Sequence, residues 1–247
     1  MTVGITTFKH RFKKYFIPLI HTLKLGKNHE LEVVVAINGE HKEKFDDGYR
    51  TDILEAIAYI PNTFPIIYPK FRGLTKLWNS ILLTATEDYV LLLNDDVTVY
   101  SDNFLQHVEA KISHYKTSFK INGSWSHVVL KVSEVRDLGY FDERLLGIGE
   151  EEEFAWRYEK FYKKSFLNLT IPGIINHVDM THPPTNITAG TSGKYSKFNR
   201  DILFNEIYTV DYKKGEVFGM ISEPLVHNGI AIQYPYEKFY EENKDKL

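Results

Sequence analysis

Short runs of β-branched and aliphatic residues alternate along this chain with stretches in which apolar residues recur every third or fourth position. Residues 3–8 read as a first strand, and Phe12, Phe16, Leu19 and Leu23 then follow at helical spacing up to Gly26. Pro18 inside that span predicts a late start or a kink, because proline cannot donate a backbone hydrogen bond to the preceding turn. Residues 31–37 form a second β-branched run ending at Asn38-Gly39, residues 53–59 suggest a short helix before Pro61, and residues 66–68 a third short strand. Leu74, Leu77, Trp78, Ile81 and Leu82 share one helix face, with Trp78 expected in the core, and lead into a strand at 89–93. Strands alternating with helices in this way predict an α/β fold with a mainly parallel, twisted sheet flanked by helices.

Past residue 100 the pattern changes. Residues 128–132 read as another strand, Ser133 is placed to cap a short helix over 134–138, and Gly139 suits the left-handed position that ends it. A helix is expected over 150–161 with Phe154, Tyr158 and Phe161 on its buried stripe. Residues 183–193 are Pro, Thr, Asn, Gly and Ser with little to bury, which reads as a mobile loop. With no internal repeat, one α/β domain and a short C-terminal extension is the expected organisation.

Composition narrows the class. At 247 residues and 43% hydrophobic, the chain has enough apolar surface for a full core. The absence of cysteine excludes disulfides, thiolate metal sites and a cysteine nucleophile, and fits a reducing compartment. A net charge of -3 gives no electrostatic case for nucleic acid. No signal-peptide pattern is visible, and no apolar run approaches the roughly 20 residues that cross a bilayer. The final Lys-Asp-Lys-Leu and the sequons at Asn122, Asn168 and Asn186 carry no meaning without such a signal.

Chemistry enters where Leu91-Leu92-Leu93 stops at Asn94-Asp95-Asp96. Ligands collect at the carboxyl ends of strands in open α/β sheets. Two carboxylates there are costly unless a positive charge lies between them, and a divalent cation carrying a nucleotide diphosphate supplies one. The same three residues are also ordinary turn formers. A second acidic cluster, Glu150-Glu151-Glu152-Glu153, follows Gly147 and Gly149 and opens a helix. These glutamates either belong to a site or simply favour the positive end of the helix dipole, with Glu153 paired to Arg157 one turn on.

Read together, the two clusters resemble the inverting glycosyltransferases of the GT-A fold, particularly family 2. In that family a strand ends in a DxD-like motif, and a downstream segment supplies the catalytic base. Gly139, Phe141, Asp142, Glu143, Gly147, Gly149, Glu150, Phe154 and Arg157 match that segment in order, and the resemblance covers about residues 2–200. It implies a nucleotide-binding half at about 1–100, an acceptor half at about 101–200, and a C-terminal extension over 201–247 packed on the same domain.

The roles it implies are these. Glu151 stands at the family's catalytic base and Glu150 beside it as an acceptor-hydroxyl ligand and alternative base. Thr6, Thr7, Phe8, Asn38, Arg72, Gly73, Asn79, Asn94 and Asp95 fall in donor-binding segments. Asp96 is the metal ligand, completed by His177, with Asp179 and His182 as alternatives. The cofactor expected is Mn²⁺ or Mg²⁺, a histidine ligand suiting Mn²⁺ better. Lys194, Lys197 and Arg200 sit in a loop placed to close over the diphosphate, and Trp125 and Trp156, with Tyr158, offer apolar faces to an acceptor sugar.

The implied activity is transfer of a sugar from a nucleotide-sugar donor, a UDP-sugar above all, to a glycan or lipid-linked glycan acceptor in bacterial-type surface polysaccharide synthesis. The expected setting is the cytoplasm, with peripheral association at the inner membrane face. Two other classes stay open. A sugar nucleotidyltransferase would show a Gly-rich, basic loop after the first strand, where this chain has Thr6-Thr7-Phe8-Lys9. A non-catalytic sugar-nucleotide or glycan-binding module would account for Asn94 and Glu151 replacing the usual carboxylates.

Overall fold

The computed structural model describes residues 1–27, 30–39, 46–145 and 149–176, with the backbone of Val226–His227 and Ile230–Ala231. Strand β1 (Thr2–Phe8) leads into α1 (Lys9–Arg11), a π-helical span (Phe12–Phe16), α2 (Ile17–Thr22) and a 3₁₀ turn (Leu25–Lys27). There follow β2 (Glu32–Asn38), α3 (Asp47–Ile57), β3 (Thr63–Ile67), α4 (Leu74–Thr84), β4 (Tyr89–Asn94), β5 (Val97–Val99), α5 (Phe104–Tyr115), β6 (Phe119–Ile121) and β7 (Ser124–Lys131). Helices α6 (Val132–Leu138) and α7 (Glu150–Tyr162) precede β8 (Leu167–Leu169) and β9 (Ile174–Asn176), and the short strands β10 (Val226–His227) and β11 (Ile230–Ala231) come last.

The seven-stranded sheet has the order β3-β2-β1-β4-β7-β6-β8. β1 pairs in parallel with both β2 and β4, β2 with β3, and β6 with β8, while β7 runs antiparallel to β4 and β6. The expected mainly parallel sheet is therefore present. Its central strands are buried and mostly apolar because both faces are covered, with Thr2, Thr6 and Thr7 as the polar positions of β1. Ile5, Val33, Val35, Ile37, Leu91 and Leu93 face a layer that includes Phe16, Leu19, Ile53, Phe104 and Val108. Val34, Ala36, Val90 and Leu92 face Leu77, Trp78, Ile81, Leu138, Phe154 and Tyr158.

On this second face β1 carries Gly4. A Cβ there would lie 2.3 Å from Ile81 Cγ2 and 3.0 Å from Leu92 Cδ2. The missing side chain lets α4 seat against the sheet centre, and filling the position would overpack the core at a cost of about 1–3 kcal/mol. The chain leaves β1 toward β2 on one side and returns to β4 on the other. Such a reversal opens a crevice at the carboxyl edge of the sheet, where Thr6, Thr7, Asn38 and Asn94 end their strands.

Several elements differ from the sequence reading. α3 begins at Asp47, well before residue 53, because the Asp46 side chain caps it by accepting from Gly48 N at 2.8 Å and Tyr49 N at 3.2 Å. β3 starts at Thr63 and tolerates Pro65 because it is the edge strand. β7 stops at Lys131, and α6 starts at Val132 without the Ser133 cap, Lys131 occupying the capping position with no side-chain bond. Gly139 does take the left-handed conformation, with φ 81°. His177, Asp179, His182 and the 183–200 loop with Lys194, Lys197 and Arg200 lie outside the described residues, as does most of the C-terminal extension.

Candidate functional site

The carboxyl edge gathers the acidic strand end around one arginine. Thr6 lies beside Asn94 across the β1–β4 ladder, and its Oγ1 donates to Asn94 Oδ1 at 3.4 Å. Thr7 Oγ1 donates to Asp95 Oδ2 at 2.8 Å. Both Asp95 and Asp96 are buried. Arg11 reaches them from the first turn after β1: its Nη2 stands 2.8 Å from Asp95 Oδ1 and 2.5 Å from Asp96 Oδ2. Phe8 and Tyr15 place their rings 5.7 and 5.4 Å from its guanidinium carbon.

Charge is strongly perturbed here. Burial pushes the Asp95 carboxyl up to about 7, a rise that Arg11 opposes and Asp96 reinforces. Burial also works against the Arg11 charge, but Asp95 and Asp96 outweigh it and hold the guanidinium above its ordinary range.

Asp96 Oδ1 is buried and has no hydrogen-bond partner among the described residues. A buried acceptor left unpaired is costly, and a cation would satisfy it. No group of three or more ligating His, Asp or Glu side chains forms among the described residues. Asp96 could hold a divalent ion together with nucleotide phosphates and water, the sparse protein coordination that Mg²⁺ and its substitutes commonly accept in phosphate sites. β9 ends at Asn176, which pairs with Val97, the residue after Asp96.

On the β2 side, Asn38 is engaged with the main chain. Its Oδ1 accepts from Gly39 N at 3.0 Å and Arg72 N at 2.8 Å, and its Nδ2 donates to Arg72 O at 2.8 Å. A carboxylate could not make the last of these bonds. Asn38 therefore pins the Arg72–Gly73 segment to the end of β2, and Gly73 opens α4 in extended conformation. Arg72 is buried, with Nη1 donating to Phe71 O at 2.8 Å. Asn79 lies deeper: its amide donates to Phe141 O and Glu143 Oε1, both at 2.9 Å, and accepts from Phe141 N at 3.0 Å. It fastens α4 to the loop before α7.

That loop ends at Gly149, whose φ of 90° turns the chain into α7 without a side-chain cap. Of the four glutamates, Glu150 and Glu153 are buried, Glu151 is half-buried and Glu152 exposed. Glu153 and Arg157 form the expected pair, fully buried, and Arg157 also donates to Leu138 O at 2.5 Å and Tyr140 O at 2.6 Å. A buried ion pair is sustained by such extra bonds, and this one locks the loop that carries α7. With Glu153 taken, Glu150 and Glu151 are left facing a cleft.

The cleft, about 210 Å³, is lined by Asn94, Trp125, Ser126, Glu150, Glu151 and Glu152, with Leu74, Trp78 and Gly149 completing it. The strand end and the α7 glutamates, far apart in sequence, are therefore brought together. Trp125 joins them, but Trp156 is not among the lining residues; its ring carries Lys160 Nζ at 4.7 Å. Glu150 Oε2 is buried without a hydrogen-bond partner among the described residues. Burial, reinforced by Glu151, pushes the Glu150 carboxyl up to about 8, and burial raises Glu151 as well.

The Glu150 shift carries a stability consequence. Between the ordinary 4.5 and about 8, the folded protein holds a proton that the unfolded chain has released, so stability is lost as pH rises through that window. Glu150→Gln removes the titrating group. Calorimetry should find this variant with a higher Tm than the parent near pH 8 and a similar one near pH 4; a Tm difference independent of pH would refute the buried neutral carboxyl.

Two contributors were not singled out from the sequence. Ser126 accepts from Asn176 Nδ2 at 2.7 Å and from Asn94 Nδ2 at 3.4 Å, and nothing in the sequence marked it. Arg11 did have a signal, being a basic residue directly after a strand that neighbours the acidic one, but the signal becomes readable only once the strand order is known.

No family model matches this sequence, and no curated protein matches it in sequence. Solved structures do. TarS of S. aureus is 18% identical with a TM-score of 0.54, over 70% of this chain and 35% of TarS, so this chain spans about a third of that protein. A fragment of TarS, residues 1–349, has been solved with UDP-GlcNAc. The mannosyltransferase PcManGT of Pyrobaculum calidifontis, solved with GDP-Man and Mn²⁺, is 13% identical with a TM-score of 0.61, over 85% of this chain and 65% of that one. Glucosyl-3-phosphoglycerate synthase of Mycobacterium tuberculosis, solved with Mn²⁺, UDP and phosphoglyceric acid, is 12% identical with a TM-score of 0.57, over 85% and 79% of the two chains. This chain has a GT-A-like glycosyltransferase fold.

Proposed function

We propose that this chain is a metal-dependent inverting glycosyltransferase, moving a sugar from a nucleotide-sugar donor to a hydroxyl of a glycan or lipid-linked glycan. The observation that carries this reading is the cleft where Asn94, the strand end next to buried Asp95 and Asp96, meets Glu150 and Glu151 on a GT-A-like fold, with Glu150 Oε2 unpaired among the described residues. A polar ligand carrying cationic charge and offering hydrogen bonds would satisfy both Asp96 Oδ1 and Glu150 Oε2.

The residues divide the work. Thr6, Thr7 and Phe8 at the end of β1, and the Asn38–Arg72 junction, border the nucleoside side, while Asn94 and Asp95 meet ribose or sugar hydroxyls. Asp96 would hold the divalent ion, Mn²⁺ or Mg²⁺, whose chemistry is to neutralise charge growing on the departing diphosphate. On the acceptor side Trp125 offers an apolar face to a sugar ring. Glu150, neutral near pH 7, donates a hydrogen bond that orients the acceptor, and Glu151, more open to solvent, takes the proton from the attacking hydroxyl. Attack opposite the leaving group gives single displacement and inverted configuration.

Neighbours solved with both UDP and GDP ligands leave the base to experiment. A UDP-sugar, a family 2 relationship, a role in bacterial-type surface polysaccharide synthesis, a cytoplasmic setting at the inner membrane face, and a division into donor and acceptor halves near residue 100 all belong to this proposal. No helix among the described residues is long and apolar enough to cross a membrane.

The test is a panel of UDP- and GDP-sugars screened by thermal shift with Mn²⁺, Mg²⁺ or chelator, since a ligand that binds the folded state raises Tm. The donor that stabilises is then offered glycan acceptors, and NMR reads the new linkage. Metal-dependent stabilisation and inverted product are expected. Retention would overturn the mechanism, and no response to any nucleotide sugar would overturn the function.

A further inference from the structure

The buried carboxylates of Asp95 and Asp96 already share a cation from their own chain. One guanidinium nitrogen of Arg11 lies 2.8 Å from an oxygen of Asp95 and 2.5 Å from an oxygen of Asp96, so it bridges the two carboxylates. The arginine side chain is 19% exposed and stands against Phe8 and Tyr15, so it belongs to the site and not to the solvated surface. Bonding capacity nevertheless remains open within the cluster, where Arg11 Nη2 keeps the two carboxylates as ion-pair partners. Arg11 Nε and Asp96 Oδ1 are both buried without a hydrogen-bond partner among the described residues. The first is a donor suited to an incoming anion, and the second an acceptor suited to an incoming cation.

We propose that Arg11 is a placeholder for the divalent ion: it neutralises Asp95 and Asp96 in the donor-free protein, opposes metal entry, and turns to the diphosphate when donor and metal arrive together. This rests on the donor-site reading given above. A divalent ion entering alone meets a guanidinium on the same carboxylates and is repelled. A nucleotide diphosphate brings several negative charges, gives Arg11 another partner, and frees Asp96 for the ion. Metal binding thereby becomes conditional on the nucleotide, and by linkage the nucleotide binds more tightly with metal.

The experiment measures Mn²⁺ binding to the full chain by electron paramagnetic resonance, with and without UDP or GDP, in the wild type, Arg11→Gln and Arg11→Lys, circular dichroism confirming the fold. In the wild type, Mn²⁺ should bind at least about tenfold more tightly with nucleotide than without it. Arg11→Gln should bind Mn²⁺ alone at least about tenfold more tightly than the wild type and lose most of that coupling. Arg11→Lys keeps a charge but not the planar fork, so it should shift in the same direction by less, and it carries the test if Arg11→Gln does not fold. Folded Arg11 variants that bind Mn²⁺ no more tightly than the wild type overturn the placeholder while leaving the donor-site reading intact. A wild type that binds neither nucleotide nor Mn²⁺ in any combination overturns both.

Discussion

Replacing Glu151 by Gln should lower kcat by about 10²-fold or more with donor affinity nearly unchanged, the signature of a lost general base. The substitution is almost isosteric, so packing against the cleft survives while the proton acceptor does not. The choice of Glu151 over Glu150 rests on their surroundings. Burial pushes Glu150 up to about 8, so near neutrality it carries a proton and cannot accept another, whereas half-buried Glu151 lines the same cleft with better access to water. Rates at saturating donor, paired with a donor-binding measurement, distinguish the two. If Glu150→Gln is dead and Glu151→Gln active, the roles exchange.

The second large effect is expected at Asp96. Asp96→Ala removes the carboxylate whose Oδ1 lies buried without a partner, and with it the proposed protein anchor for the ion. Metal affinity in the presence of nucleotide should fall by more than the roughly 10–100-fold seen when a residue that merely supports a ligand is lost. The fold should hold, because Arg11 keeps Asp95 as its partner. Full activity of this variant with saturating donor and Mn²⁺ would remove Asp96 from the metal site.

The parts of this protein that announce themselves in sequence are those governed by local pattern or by strong burial. β1, β2 and β4 are buried on both faces, with β2 and β4 reading as continuous apolar runs and β1 as a β-branched run with threonines; Trp78 is core; Gly139 ends α6; Glu153 and Arg157 sit one helical turn apart. The parts that stayed hidden depend on partners distant along the chain. β5 pairs with β9 across more than seventy residues of sequence, and β6 finds β8 in parallel, so three-residue strands form where propensity alone is too weak to call them. The amides of Asn38 and Asn79 face backbone groups supplied by other segments, which no spacing rule foretells. Arg11 belongs to the same class: its chemistry is ordinary until strand order sets it against Asp95 and Asp96.

The π-helical span at Phe12–Phe16 sets the angular phase between two ends of one helical segment. Its wider turn, closed by Ile17 N bonding back to Phe12 O, fits one residue more than an α-helical turn would. Downstream, Phe16, Leu19 and Ile20 are fixed by the core, and upstream β1 is fixed by the sheet. A chain shorter by one residue in this span could wind as plain α-helix only by turning the preceding residues by roughly 100° about the axis. That rotation would fall on Lys9–Arg11 and carry Arg11 off the two carboxylates, with the hydrophobic seam undisturbed. The surplus residue thus keeps a seam that faces the core and a cation that faces Asp95 and Asp96 in step, and among relatives of this chain the length of that span should vary together with the residue at position 11.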